Sequence, residues 1–230
     1  MRDRFALLST PLVADACLRL GLPVRCGPAD LRGLTPGMRV AGRVLPVRHA
    51  GSVDVYLEAV LAAEPGDVLV IDDGGRVDRA SIGDLALLDA LAAGVSGVVV
   101  WGLHRDTADL VAIGAPVFSL GALPTGPLSL DARHPDALGS ARVGEHVVTT
   151  RDAVFGDEDG VLFVPLDRVD DVLGTAETIA ATERRQADRI RGGVTLRDQV
   201  RFDAYLAARA TDPSLTFRDH LRAVGGEIEV

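Results

Sequence analysis

Asp84, Arg105 and Asp106 are the residues with which this chain could do chemistry, and their setting says which chemistry. Asp84 sits in I-G-D-L-A-L-L-D-A-L-A-A-G (residues 82–94), where a turn at Gly83-Asp84 precedes a predicted helix over residues 85–93 that Gly94 stops. Gly97–Trp101 carries three valines in a row and reads as a buried strand, and residues 102–106 (G-L-H-R-D) read as a polar loop. A helix packed back along its strand brings its own N-terminus and the loop after the strand to one crevice. Free N–H groups at a helix start hold an anion. A guanidinium grips carboxylate or enolate oxygens bidentately, and a carboxylate beside it can hold a divalent metal. Together they describe a site for a small acid with a metal.

The elements that must position this unit alternate in type. Residues 7–20 predict a helix with Ser9 or Thr10 as cap and Pro11 in its first turn, ended by Gly21; Asp15 on it is expected to face solvent or a packing neighbour. Residues 38–47 alternate like a half-exposed strand, with Gly42 for close approach. A helix is expected over residues 53–63, then the apolar strand Val68–Asp72, then D-D-G-G (residues 72–75), which reads either as a glycine-rich turn bringing backbone close to a ligand or as a plain hairpin or loop turn. After the central unit come a helix over residues 108–113, a strand over 116–120 and a Pro/Gly/Asp-rich loop over 121–139. Three strand-like runs follow (145–150, 153–156, 161–164). Asp157-Glu158-Asp159-Gly160 falls far short of a twelve-residue calcium loop and reads as a hairpin turn. From Arg168 onward the chain is helical and charged, with Ile179, Ile190, Leu196 and Leu206 spaced as helices laid on a surface would have them. Strands alternating with helices, then a strand-rich section, indicate an α/β domain with a mixed sheet.

Composition narrows the function. The 230 residues are 47% hydrophobic and 25% charged, which suits one core with an appended segment. No apolar run is long enough to span a membrane, and neither a secretory signal nor a disulfide framework is expected from two cysteines, Cys17 and Cys26. The cytoplasm is the expected compartment. A net charge of −9 argues against nucleic acid as a partner. All 24 basic residues are arginine. Schiff-base aldolases, pyridoxal-phosphate enzymes and P-loop nucleotide binders all need a lysine amine, so none of these is compatible with the chain. Carbon–carbon chemistry at a ketone would have to use a metal or arginine as the electron sink. His104 and His134 stand without a second ligand at metal spacing; His104, beside Arg105, is the better candidate for touching substrate.

The segments P-G-D-V-L-V-I-D-D-G-G, I-G-D-L, G-V-V-V-W-G-L-H-R-D and D-E-D-G-V-L-F-V-P, in this order and at these spacings, resemble the RraA-like family from about residue 7 to residue 165. That family holds the 4-hydroxy-4-methyl-2-oxoglutarate / 4-carboxy-4-hydroxy-2-oxoadipate aldolases and the regulator of ribonuclease E activity A. Its aldolase branch is marked by Asp, twenty residues, then Arg-Asp, which Asp84 and Arg105-Asp106 match. The resemblance implies a compact α/β/β sandwich like the phosphohistidine swivelling domain over residues 1–167, with a helical extension over 168–230 packing on the domain or on a neighbouring subunit. It implies a homotrimer, or a dimer of trimers, with sites at subunit clefts, and a Mg2+ or Mn2+ ion.

By the same resemblance Asp106 would bind the metal, Asp84 would hold a water on it, and Arg105 would contact the keto-acid oxygens. Backbone N–H groups of Gly83, Asp84, Leu85, Ala86 and Leu87 would cradle the carboxylate, and Glu183 of the extension would reach a neighbour's site. The implied activity is class II cleavage of 4-hydroxy-2-oxo acids to pyruvate, with oxaloacetate decarboxylation as a side reaction through the same enolate. Two alternatives remain: a non-catalytic trimeric regulator that binds a ribonuclease or other protein, and an enzyme using the same chemistry on sugar-derived acids. The chain departs from the family at Arg151-Asp152, where Pro-Gly-Asp is usual, and in having no asparagine. Both departures bear on substrate detail.

Overall fold

A computed structural model of the chain describes residues 1–127 and 129–225, which fall into two units divided after residue 173. The first unit is built on a mixed eight-stranded sheet. Its spatial order is Arg25–Cys26, Gly160–Pro165, Asp152–Asp157, Val40–Arg48, Val68–Asp72, Gly97–Trp101, Val117–Ser119 and Arg32–Gly33. Val40–Arg48 through Val117–Ser119 run parallel, and the remaining pairings are antiparallel. The sheet curls into a half barrel. Arg32, on the last strand in that order, donates from Nη1 to the carbonyl of Glu158 in the hairpin near the other end, at 2.9 Å.

The apolar runs follow from burial on both faces of the parallel strands. Val68 and Val70 point into the curl with Val44, Val99, Phe118, Val154 and Phe163. Leu69 and Ile71 point the other way, with Val47, Val98 and Val100, against the helices Asp54–Val60, Asp84–Ala92 and Thr107–Ile113. The expected close approach at Gly42 is present: a Cβ there would lie 2.2 Å from the carbonyl oxygen of Gly66. The first long helix, Thr10–Arg19, is held from outside, because the Asp157 carboxylate accepts from the amide of Thr10 at 2.7 Å and from its hydroxyl at 2.6 Å. Asp157 thus anchors a helix start, and Asp157–Gly160 closes the hairpin expected there.

Three expectations need correction. Val40–Arg48 is not half-exposed: seven of its nine residues are buried, because the strand is covered on both faces. The run 102–106 is not all loop, since Leu103–His104 forms a short parallel strand with Ala80–Ile82, an element absent from the sequence reading. The last concerns the tail. Ile179 is buried, but Ile190, Leu196 and Leu206 are exposed, and the second unit gathers aromatic rings. Tyr205 packs on Phe202, Phe217 and His220 with centroids 5.1–5.7 Å apart, and the His220 ring bonds the carbonyl of Val200 at 2.8 Å. These helices, Phe202–Thr211 and Phe217–Val224, therefore have a small core of their own. Thr195 and Thr216 cap Leu196–Gln199 and Phe217–Val224 by accepting from the amides of Asp198 and Asp219.

Candidate active site at the ends of the parallel strands

The central unit folds as its sequence pattern requires. The helix Asp84–Ala92 is followed by Gly94 at φ 92° and then by the strand Gly97–Trp101, so the helix start and the strand's far end share one side of the sheet. Gly83 is the N-cap residue and contributes no side-chain cap. Leu87 begins the intrahelical ladder, donating to the carbonyl of Gly83 at 3.2 Å, and its side chain is fully buried in the core. Its amide is thus committed, and the open helix start is made by Asp84, Leu85 and Ala86, which line a cavity together with Gly83. Leu87 does not line it.

Arg105 and Asp106 come to this helix start, as their spacing suggested. The Arg105 amide donates to the carbonyl of Ile82 at 2.9 Å, which pins the loop beside Gly83. An ideal Cβ on Gly83 would lie 2.3 Å from Oδ2 of Asp106 and 3.3 Å from Nε of Arg105. The guanidinium Nε lies 3.3 Å from the Asp106 carboxylate, and Nη1 lies 2.9 Å from where a Cβ on Gly126 would be. Both side chains remain open to ligand, at 49% and 36% exposure. Asp106 takes a left-handed conformation, φ 59° and ψ 40°, at the N-cap of Thr107–Ile113, yet its carboxylate makes no cap hydrogen bond there. Non-glycine residues adopt this region at a cost, and such residues concentrate at functional sites.

Gly83 is therefore required by contact and not by its backbone, which is extended at φ −139°. Gly83→Ala is expected to leave the melting temperature within a few degrees of the parent, because the Asp106 carboxylate can swing aside. That swing removes the carboxylate from its place. A loss of metal-dependent activity of at least ~100-fold is expected, on the scale of losing one preorganised electrostatic group. Parental turnover in Gly83→Ala would show that the Asp106 position is immaterial.

The cavity has a volume of about 320 Å3, at the low end for small-molecule sites. Arg105, Asp84, His49, Tyr56, Ser81 and Pro127 are among the residues that line it. Behind His49 lies a charged cluster that the sequence reading missed. His49 Nδ1 is 3.0 Å from Oδ1 of Asp73, whose side chain has no solvent exposure. Arg79 grips the same carboxylate through Nε, at 3.0 and 3.2 Å, and through Nη2, and it reaches Asp131 at 2.8 Å. Burial pushes the Asp73 carboxyl up, but hydrogen bonds from His49 and Arg79 and their charge outweigh it and hold the group below the usual carboxylate range. Burial first, then the nearby Asp73 charge, pushes the Tyr56 phenol well up, and its hydroxyl donates to the carbonyl of Ser81 at 2.9 Å. Two of its three members, Asp73 and Arg79, lie in D-D-G-G-R-V-D-R (residues 72–79), where the sequence singles out only the glycines.

His104 is not a cavity residue. It is 3% exposed, with Nδ1 2.7 Å from the Ser119 hydroxyl and Nε2 3.1 Å from that of Thr107, and burial lowers its pKa. It braces the loop under Arg105. His134 lies on the long loop, 3.0 Å from Arg48, and Glu183 and Asp15 are exposed on their helices. Among the described residues no group of three or more His, Cys, Asp or Glu is placed to hold a metal ion. Asp106 and Asp84 are two carboxylates near this helix start; a cation held by them would take most of its ligands from water and substrate, which suits Mg2+ or Mn2+ and not a closed zinc site.

Comparison with known proteins places the family and the fold. A family model described as RraA-like, Aldolase/RraA, matches residues 10–163. A Halalkalibacterium halodurans protein named "Putative 4-hydroxy-4-methyl-2-oxoglutarate aldolase" is 33% identical over 165 residues, 70% of this chain and 73% of that protein. Protein DlpA of Legionella pneumophila is 28% identical over 195 residues; the match takes in 82% of this chain but spans only 31% of DlpA. The crystal structure of Streptomyces coelicolor RraAS2, described as an unusual member of the RNase ES inhibitor RraA protein family, superimposes with a TM-score of 0.67 at 22% identity. That superposition covers 82% of this chain and 96% of RraAS2, and it establishes a shared fold.

Proposed function

The chain belongs to the RraA-like family, and from that premise we propose that it is a divalent-metal-dependent lyase that cleaves 4-hydroxy-2-oxo acids to pyruvate. The observation that carries the reading is the meeting of the Asp84–Ala92 helix start with Arg105, which lines a small cavity with it, and with Asp106, packed against Gly83. Retro-aldol cleavage leaves an enolate, and its catalysis depends on fixed positive charge where that oxygen forms. Arg105 supplies a guanidinium that cannot lose its proton, and the open amides of residues 84–86 hold the substrate carboxylate. Asp106 would hold the cation and Asp84 would orient a water beside it. A bound divalent cation would supply Lewis-acid charge to the same oxygens. Oxaloacetate decarboxylation yields the same enolate and is proposed as a side activity.

The proposed assembly is a homotrimer, singly or as a dimer of trimers; what supports self-association is an exposed apolar face beside the cavity. Leu57 and Leu61 on Asp54–Val60 and its end, and Leu85 and Leu88 on Asp84–Ala92, are 48–87% exposed on two helices that pack together. An apolar rim of this kind is expected to be covered by a second copy. The same rim would also suit a protein partner, the second reading, which the fold shared with RraAS2 keeps in view. Among the described residues no helix is long and apolar enough to cross a membrane, and the proposed compartment is the cytoplasm.

The test is pyruvate release, coupled to lactate dehydrogenase, from 4-hydroxy-4-methyl-2-oxoglutarate and from oxaloacetate, with Mg2+, Mn2+ or EDTA. Turnover with metal, lost in EDTA and in Arg105→Ala, is the expected result. A folded oligomer that turns over neither compound with either metal would favour the partner-binding reading.

A further inference from the structure

The geometry points to His49, oriented by Asp73, as the group that takes the proton from the C4 hydroxyl in cleavage and returns a proton to C3 of the enolate. This rests on the lyase reading of the same cavity.

His49 follows the strand Val40–Arg48, and its backbone amide donates to the carbonyl of Asp72 at 2.8 Å, fixing it at the carboxyl end of the parallel strands. That is where α/β sheets place ligands. The side chain is 1% exposed yet lines the cavity that Arg105 and Asp84 also line. Its ring lies against Tyr56, with centroids 5.3 Å apart and planes 19° apart. Nδ1 is committed to Asp73, and no described residue hydrogen-bonds Nε2. A carboxylate on Nδ1 fixes the tautomer in which Nε2 carries the lone pair, the arrangement a general base needs.

A purely structural histidine is the bland alternative, and His104 shows what that looks like here: both ring nitrogens bonded and no cavity contact. His49 differs on both counts. Asp73 is in turn held by Arg79, so it stays ionised and keeps the ring in place; it is a positioning residue.

The proton balance closes within the site. The C4 hydroxyl proton passes to Nε2, the C3–C4 bond breaks, and its electron pair moves to the enolate that Arg105 stabilises. C4 leaves as a carbonyl. Nε2–H then protonates C3, giving pyruvate and restoring the neutral ring. The charged and titratable groups around His49 are Asp73 and, behind it, Arg79 and Asp131, with Tyr56 stacked on the ring. Asp84, Asp89 and Arg105 line the cavity.

The test uses full-length His49→Gln. Cleavage of 4-hydroxy-4-methyl-2-oxoglutarate should fall in kcat by ~10²–10⁴-fold, the usual share of general acid–base catalysis, with KM little changed. Oxaloacetate consumption, which has no hydroxyl proton to remove, should fall much less. Cleavage within threefold of the parent would overturn the role of His49 and leave the lyase reading standing. A parent inert on both compounds would remove both. Should the variant not fold, the parent still decides: pyruvate with Mg2+ must shift the ring 15N resonances of His49, and an unchanged spectrum under saturating pyruvate would overturn the proposal.

Discussion

Asp106→Gly is expected to abolish metal-dependent turnover in a protein that is no less stable than its parent, within about 1 kcal/mol. Asp106 holds φ 59°, where an L residue loses roughly 1–2 kcal/mol relative to a right-handed conformation, somewhat less for aspartate. Glycine removes that cost and introduces a comparable entropic one. The carboxylate contributes little to set against this. It caps nothing at the start of Thr107–Ile113, and its contact with Arg105 is a part-exposed ion pair of the kind worth about 0–1 kcal/mol. The function is another matter, because Asp106 is the proposed anchor of the cation, and ~10³-fold or more of the rate should go with it. Denaturant midpoints and the coupled assay read the two quantities separately. A variant destabilised by more than about 2 kcal/mol would make Asp106 a structural residue, and one that keeps its turnover would remove the metal site from this position.

Arg79→Ala is expected to have the largest effect on stability, a loss of about 3–5 kcal/mol, because it leaves a buried carboxylate without its main partner. Asp73 has no exposed side-chain surface, and Arg79 is 6% exposed with three of its contacts on that one group. Arg79→Lys should recover little, since an ammonium cannot reproduce the forked grip. The pH dependence follows from the same contacts. Desolvation raises the Asp73 carboxyl, but His49 and Arg79 together carry it below the usual range. A depressed carboxyl stabilises the fold fully above its unfolded value of ~3.9, and the contribution disappears as pH falls through the lower folded value. Loss of Arg79 moves that acid transition upward in pH. Urea midpoints between pH 3 and 7 test this; a midpoint in Arg79→Ala equal to the parent's at all pH values would contradict it.

Much of this architecture was legible because the relevant physics is local. Val68–Asp72 and Gly97–Trp101 are continuous apolar runs, since parallel strands under helices are buried on both faces, and both were placed at their observed bounds. Gly94 and the periodic leucines fixed the helix whose N-terminus matters, and that helix and strand geometry in turn brought Arg105 and Asp106 to Gly83. What escaped depends on long-range contact. Ala80–Ile82 and Leu103–His104 are too short to show a period and exist only by pairing with each other. The Asp73–Arg79–His49 cluster joins residues from a strand end, a turn and a loop, so no spacing announces it. The resemblance implied Leu87 as an amide donor; the fourth residue after the cap already has a carbonyl to bond. In the tail the aliphatic residues drew attention, while Phe202, Tyr205 and Phe217 made the core.

Enolate formation is the central claim, and solvent exchange into the methyl group of pyruvate reads it without knowledge of the natural substrate. Pyruvate is incubated in D2O with the protein and Mg2+ or Mn2+, and loss of the methyl proton signal is followed by NMR against EDTA and Arg105→Ala controls. The account predicts metal-dependent exchange well above the uncatalysed rate, absent in both controls. Exchange that is no faster than in buffer, from folded protein with either metal at saturating pyruvate, would contradict it.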